Sequence, residues 1–274
     1  MDAQDRRKMM KETFDSVSSG YDNPSLRFFI ETARGLAALL EVPENGRVLD
    51  VAAGTGNVSL EIASRFPAAR VTGVDISSGM LAQARAKAAA AGIRNLEFLE
   101  MDMHELALPD GHFDAVVSSF GIFFADDMSR QLRHMASKAR HGGVLLLTAF
   151  HEDTFRPLID LFGDRLESYG VERPPLKWKQ IATEDRIAAL LGDAGLADVR
   201  VQCKDHGYYL RDASQWWDVI WNAGMRSQVG RLSPGDLTKF KKEHLQEVDK
   251  LRTEEGIRFK VDVLYALGIR NKRC

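Results

Sequence analysis

The chain has 274 residues, 37 Lys and Arg against 39 Asp and Glu, a formal net charge of −2, and 45% hydrophobic residues. This near-neutral balance lacks the basic footprint of a dedicated nucleic-acid binder, and its notable apolar run, 144–147, is far short of the roughly 20 residues that span a bilayer. Two distant cysteines, Cys203 and Cys274, exclude a disulfide scaffold or a cysteine-based zinc site and fit a reducing, cytoplasmic compartment. The length exceeds one ordinary domain of about 100–200 residues, so a core with large additions is expected. The charged start (Asp5, Arg6, Arg7, Lys8) has no apolar stretch behind it, and no secretory signal is expected.

Asn23-Pro24 pairs an N-cap with a proline at the first helical position, predicting a helix to about Glu41. Strand segments then recur at 47–51, 69–75, 95–100, 113–120 and 143–150. The second, fourth and fifth carry Val and Leu on both faces, as strands covered on both sides do. Ser77 caps a helix over 80–91 that Gly92 ends, and Asp127 caps one over 128–139 ending at Gly142-Gly143. Strands alternating with helices predict a doubly wound, Rossmann-like α/β sheet with right-handed crossovers.

Beyond Phe150, Pro157, Pro174 and Pro175 punctuate a loop-rich stretch, and Thr183 then caps a helix to about Ala194. A sixth strand is expected at 198–209 and a seventh at 257–267. Between them lie 214–227, with Trp216, Trp217 and Trp221, and a long helix opened by Ser233-Pro234-Gly235-Asp236 and running to about Glu255. That connection is far longer than usual. It reads as a helical cap, at about 212–256, or as a packing or oligomerisation element.

Chemistry concentrates in Val48-Leu49-Asp50-Val51-Ala52-Ala53-Gly54-Thr55-Gly56-Asn57, a strand entering a Gly-rich turn that opens a helix. Gly54 and Gly56 permit a tight turn and close ligand approach, and the helix start offers free N–H groups. Asp75, nineteen residues after Gly56, ends the second strand, where an acidic residue accepts from ribose hydroxyls. A dinucleotide fits poorly. The third glycine position of its fingerprint is Ser59, and Asp50 before the loop would repel a pyrophosphate. The carboxylate favours a ligand carrying positive charge, such as the ammonium and sulfonium of S-adenosylmethionine (SAM).

The segment resembles the class I SAM-dependent methyltransferases, and most closely the ubiquinone/menaquinone C-methyltransferase family with its type 11 relatives. Phe14-Asp15-Ser16-Val17-Ser18-Ser19-Gly20-Tyr21-Asp22 resembles that family's N-terminal signature, and Val74-Asp75-Ile76-Ser77-Ser78-Gly79-Met80-Leu81 its ribose-binding strand and turn. Asp102-Met103, with Leu108-Pro109-Asp110-Gly111-His112-Phe113-Asp114 after it, stands where the family contacts adenine, and Ser118-Ser119-Phe120-Gly121 resembles the end of its fourth strand. The resemblance covers about 12–150. It implies that Tyr21 closes over the methionine carboxylate and that Asp50, Thr55 and the backbone of Ala52, Ala53, Gly54 and Gly56 hold the methionine amine. It further implies that Asp75, with Ile76 and Met80 beside it, binds the ribose. Asp102 and the Met103 N–H would take the adenine, with Ser118 and Ser119 at the methionine end. One departure is Ala52, where the family carries its first loop glycine. The expected organisation is an N-terminal helical cover (1–45), a SAM-binding core (46–150) and a C-terminal part with the cap (151–274). The sheet is expected to have seven strands, the last antiparallel between the fifth and sixth.

His151 and His206 follow the fifth and sixth strands and are candidate general bases; a structural role is the alternative for each. Neither is spaced as a metal site. Phe120, Phe123 and Phe124 lie near the expected transfer site, and Trp216, Trp217 and Trp221 either line the same apolar substrate pocket or dock the insertion onto the sheet. The run 239–242 reads as the solvated face of an amphipathic helix. The expected activity is methyl transfer from SAM, leaving S-adenosylhomocysteine (SAH), to a small quinone-like or aromatic molecule. Alternatives are an O-, N- or S-methyltransferase outside quinone biosynthesis, or a SAM-binding sensor. The expected partner is the small acceptor, without nucleic acid or a membrane segment; monomer and homodimer both remain open.

Overall fold

The computed structural model describes residues 3–173 and 175–271, so Pro174 and Cys274 lie outside the described residues. The chain begins with α1 (Ala3–Val17). Asn23 caps the next turn through Ser25 N–H, but Pro24–Leu26 forms only a 3-10 turn before α2 (Phe28–Ala38). The alternation then follows: β1 (Arg47–Val51), α3 (Asn57–Arg65), β2 (Arg70–Asp75), α4 (Ser78–Ala90), β3 (Leu96–Glu100), β4 (Phe113–Ser119), α5 (Met128–Lys138) and β5 (Ala139–Phe150). The Ser77 and Asp127 side chains cap α4 and α5, accepting from Met80 N–H and Arg130 N–H.

The C-terminal part holds α6 (Leu158–Ser168), α7 (Glu184–Asp193), β6 (Leu196–Asp205), β7 (Tyr208–Leu210), α8 (Ala213–Trp221), α9 (Arg226–Val229), α10 (Pro234–Asp249), β8 (Ile257–Phe259) and β9 (Asp262–Arg270). Helix α6 falls in the stretch expected to be loop-rich. Its buried Leu158, Ile159, Phe162 and Leu166 follow a helical period that the flanking prolines obscured. The expected sixth and seventh strands each break in two. β7 and β8 leave the main sheet and pair with each other, forming a two-stranded stalk that carries α8–α10. An alternating pattern marks extended chain but says nothing about which neighbour it joins, so one-strand readings missed both breaks. Helix α10 also stops at Asp249, short of the expected Glu255, before a turn around Gly256.

The main sheet runs β3-β2-β1-β4-β5-β9-β6, with β9 antiparallel to both β5 and β6. Val48, Leu49, Val74, Val116, Leu145 and Leu146 are fully buried, as a sheet layered with helices on both faces requires. The chain winds outward from β1 through β2 to β3, then returns to place β4 on the other side of β1. A crevice therefore opens beyond the carboxyl ends of β1 and β4, the topological switch point where ligands of such sheets bind. No helix among the described residues is long and apolar enough to cross a membrane.

Candidate active site

The turn after β1 is built from left-handed backbone. Ala52 (φ 59°), Gly54 (φ 55°) and Gly56 (φ 79°) bend the chain back, while Ala53 N–H reaches the Val74 carbonyl at 2.9 Å. Space around Gly54 is open where a Cβ would stand, so its backbone faces the crevice bare. Gly56 has a different task. A Cβ there would meet Phe98 Cζ at 2.8 Å and Ala84 Cβ at 2.9 Å, so this glycine lets α3 and α4 pack. The Ala52 methyl is accommodated by Gly121, whose own Cβ would lie 2.8 Å from it.

Asp75 clasps the turn. Its two carboxylate oxygens accept from Gly54 N–H and Ser77 N–H, each at 2.8 Å. A carboxylate has about four lone-pair sites, so capacity remains for a further donor. Burial raises the Asp75 pKa, against the pull of these two amide bonds. Asp50 is fully buried and accepts from Ser59 Oγ at 2.6 Å. Burial pushes its pKa up to about 7; the Ser59 bond opposes this and the nearby Asp75 charge adds to it.

The N-terminal segment is strapped across this turn. Lys11 Nζ donates to the Ile76 carbonyl at 2.8 Å. Asp15 Oδ1 accepts from Ser77 Oγ and Gly79 N–H at 2.6 and 2.9 Å. Asp22 takes donors from Thr55, Asn57 and Lys87 at 2.9, 3.0 and 2.8 Å. Thr55 is thus committed to the strap rather than held out for a ligand amine. Tyr21 stacks on Phe29 with centroids 4.8 Å apart, and burial, with Asp75 and Asp22 nearby, raises its pKa. The acidic residues of the N-terminal signature act as latches, a role that only spatial pairing reveals.

Two adjoining hollows form one cleft, sharing Tyr21, Ala52, Gly54, Ser119 and Phe120 on their walls. The smaller adds Asp50, Ala53 and Thr55. The larger, about 630 Å³ including its open mouth, extends past Asp75, Ile76, Met80, Asp102 and Met103. Every expected cofactor residue reaches this cleft except Gly56 and Ser118. Side chains alternate along β4. Ser119 therefore faces the cleft and pairs with Thr148 Oγ1 at 2.8 Å, while Ser118 Oγ is buried beneath Gly121. Sequence reasoning missed Met10, Phe14, Met101, His104 and Gly121 on the wall. Asp102 accepts from His104 Nδ1 at 2.6 Å and from His104 N–H at 2.9 Å. Burial alone would raise its pKa, but the His104 bonds and the Arg7 charge outweigh this and hold it below the usual carboxylate value.

The expected bases stand elsewhere. His206 shares a 2.7 Å hydrogen bond with Tyr265 Oη at the end of edge strand β6, four strand spacings from β1, or about 19 Å at ~4.8 Å each. His151 turns off the end of β5, its N–H bonded to the Asp262 carbonyl at 2.9 Å. Neither is among the residues lining the two hollows, although His151 follows Phe150, which stacks on the cleft residue Phe120 with centroids 4.3 Å apart. Phe120 and Phe124 do line it, and Phe120 is held at φ 55°, a strained conformation for an aromatic residue. Phe123 is buried behind them against Phe124 and Phe150. The tryptophans are also displaced from the pocket. Trp216 is wholly buried and donates to His244 Nε2 at 2.9 Å. Trp217 stacks on Trp221 and packs near Phe240. Their apolar area holds α8 against α10, which satisfied the burial that periodicity signalled without bringing them to the cleft.

Residues 48–143 match the family profile described as Methyltransferase domain. The chain is 31% identical over 194 residues to the aklanonic acid methyltransferase DauC of Streptomyces sp. strain C5, covering 68% of this chain and 86% of that enzyme. It is 30% identical over 217 residues to the ubiquinone/menaquinone biosynthesis C-methyltransferase UbiE of Xanthomonas campestris, covering 71% and 85% respectively. In three dimensions it is similar to the YcgJ protein of Bacillus subtilis, with TM-score 0.58, 21% identity, and 89% and 100% of the two chains covered. It is also similar to the phosphoethanolamine N-methyltransferase 2 of Haemonchus contortus, solved with S-adenosyl-L-methionine, with TM-score 0.54, 15% identity, and 94% and 60% covered. The two structural likenesses bear on the fold, and the two sequence relatives, with the turn and carboxylates above, bear on the family. This chain belongs to the class I SAM-dependent methyltransferases.

Proposed function

We propose that the enzyme methylates a small, planar organic acceptor, held against Phe14, Phe120 and Phe124 at the mouth of the cofactor cleft. The observation that carries this reading is the combination of carboxylates and aromatic side chains on the walls of one cleft. Carboxylates Asp50, Asp75 and Asp102 line it together with the aromatic side chains of Phe14 and Tyr21 from the N-terminal segment and Phe120 and Phe124 after β4. The carboxylates fit SAM group by group. Asp50 faces the end where an ammonium and a sulfonium would sit, Asp75 keeps acceptor capacity for a ribose diol, and Ile76, Met80 and Met101 offer an apolar bed for a flat base. Relatives named for aklanonic acid and for ubiquinone and menaquinone support a small-molecule acceptor.

When bound, SAM supplies an electrophilic methyl group on sulfur. The residues of the chain bind, orient and dry the site. Tyr21 and Phe29 close the methionine end, and Phe14 and Phe124 meet edge to face at 5.3 Å over the mouth. Excluding water and holding the acceptor near attack distance supply much of such a rate enhancement. Residues 3–45 act as the cover of the cleft, and 212–256 as a helical cap that packs beside it.

Calorimetry with SAM, SAH and NAD tests the cofactor half: SAM and SAH bind at micromolar concentration and NAD does not. Asp75→Ala weakens SAM at least tenfold, since each hydrogen bond to a charged group is worth about 1.5–3 kcal/mol. Undiminished affinity in a folded Asp75→Ala protein would remove the ribose assignment. Incorporation of labelled methyl from SAM into a metabolite extract identifies the acceptor.

A further inference from the structure

No described residue of the cap lines the two hollows of the cofactor cleft, yet the cap grips the strap that covers them. Helix α1 ends at Val17 with no basic residue in its last turn. A helix C-terminus leaves carbonyls without intrahelical donors and carries partial negative charge. The cation comes instead from the cap, 210 residues downstream: Arg226 Nη1 donates to the Ser16 carbonyl at 3.2 Å. The Arg226 guanidinium lies over the Trp221 ring, 4.4 Å from its centroid. Trp221 stacks on Trp217, which packs near Phe240 of α10. The body of the cap therefore fixes the guanidinium that meets the strap.

Two more grips follow along the chain. A Cβ on Gly20 would stand 2.7 Å from Asn222 Cγ, so the absence of a side chain lets this turn sit against the end of α8. Ser25 Oγ donates to Asp218 Oδ2 of α8 at 3.3 Å, and the Ser25 carbonyl accepts from Tyr208 Oη of the stalk at 2.7 Å. Ser16, Gly20 and Ser25 bracket Tyr21, which lines both hollows. From the other side, Asp22 is latched by Thr55, Asn57 and Lys87. Tyr21 is thus set between a hold on the cap and a hold on the cofactor turn.

We propose that Arg226 is a positioning residue for cofactor binding: by holding the C-terminal end of α1 from the cap, it sets Tyr21 over the methionine end of SAM. The cap thereby acts on cofactor affinity without touching the cofactor. This rests on the reading of Tyr21 given above. It adds a task for the long insertion that its buried tryptophans alone do not reveal.

The test is calorimetry with SAH on the full chain. Arg226→Met keeps an apolar stem over Trp221 but removes the charge and the donors. SAH then binds about three- to tenfold more weakly, the range expected for a cation lost from a helix C-terminus. Arg226→Lys keeps the cation and loses less than about twofold. Arg226 is half-buried at the surface, so both variants fold. Trp216→Phe loosens the cap without reaching the strap and leaves SAH affinity unchanged. In a Tyr21→Leu background, itself weaker for SAH, Arg226→Met adds less than about twofold, because the residue it positions is gone. Unchanged affinity in Arg226→Met, an equal loss in Trp216→Phe, or full additivity with Tyr21→Leu overturns the proposal and leaves the cofactor reading intact. If Tyr21→Leu alone has no effect, the reading of Tyr21 falls and the proposal with it. If the unaltered chain binds no SAH, the cofactor reading itself falls.

Discussion

Ala52 takes a left-handed position in the turn after β1, and the structure names what accommodates it. Its φ of 59° is a left-handed conformation costing an L-residue roughly 1–2 kcal/mol. Its methyl fits because Gly121 has none. Adding a Cβ in Gly121→Ala places that atom 2.6 Å from Ser118 Oγ and 2.8 Å from Ala52 Cβ, both inside van der Waals contact. Overpacking of this kind costs about 1–3 kcal/mol. Ala52→Gly removes one of the two collisions and the left-handed strain, against about 0.4–1 kcal/mol of added unfolded-state entropy. Alone it is therefore neutral to stabilising by about 1 kcal/mol. In the double variant, Gly121→Ala costs less by about 1 kcal/mol, with incomplete rescue because the Ser118 collision persists. Urea melts of the four proteins, read by circular dichroism, give the coupling directly. Additivity within about 0.3–0.5 kcal/mol, the usual behaviour of sites that do not touch, would refute the compensation. So would a clear loss of stability in Ala52→Gly alone.

Two further outcomes separate site from scaffold. Asp50 carries a folded pKa of about 7 against an ordinary value of 3.8, so the folded state holds a proton that the unfolded chain gives up between those pH values. Its contribution to stability is complete below about pH 4 and is lost as pH rises through 7, by up to about 4 kcal/mol at 1.36 kcal/mol per unit. The stability of the cofactor-free enzyme relative to Asp50→Asn therefore falls across that window in urea melts, and a difference that stays flat with pH would sink the assignment. Trp216→Phe leaves His244 Nε2 without its buried donor, costing about 1–3 kcal/mol with SAM affinity and acceptor KM unchanged. A changed acceptor KM at unchanged stability would return this tryptophan to the substrate pocket.

Much of the cofactor half was legible before any coordinate. Short-range physics marks a Val-rich strand, a Gly-x-Gly turn and a helix cap, and all are local. An Asp at each of two strand ends is likewise readable, because the parallel winding brings the ends of β1 and β2 side by side. The same reasoning failed where two distant segments decide a role. Ser118 and Ser119 look equivalent in the chain, yet the pleat sends one to the cleft and the other beneath Gly121. His151 and His206 share a strand-end position in the chain, but the order of strands puts His206, after β6, at the far edge of the sheet.

By itself, then, the sequence determined the doubly wound sheet, the class of cofactor and the carboxylates that line the cleft, since periodicity, turn chemistry and charge act over a few residues. Tertiary structure alone decided that Asp15 and Asp22 are latches, that Gly121 makes room for Ala52, and that the tryptophans hold α8 against α10. These depend on contacts between segments up to about 70 residues apart, Ala52 and Gly121 being the farthest pair. Such closures are set by packing of the whole chain, which no local pattern encodes.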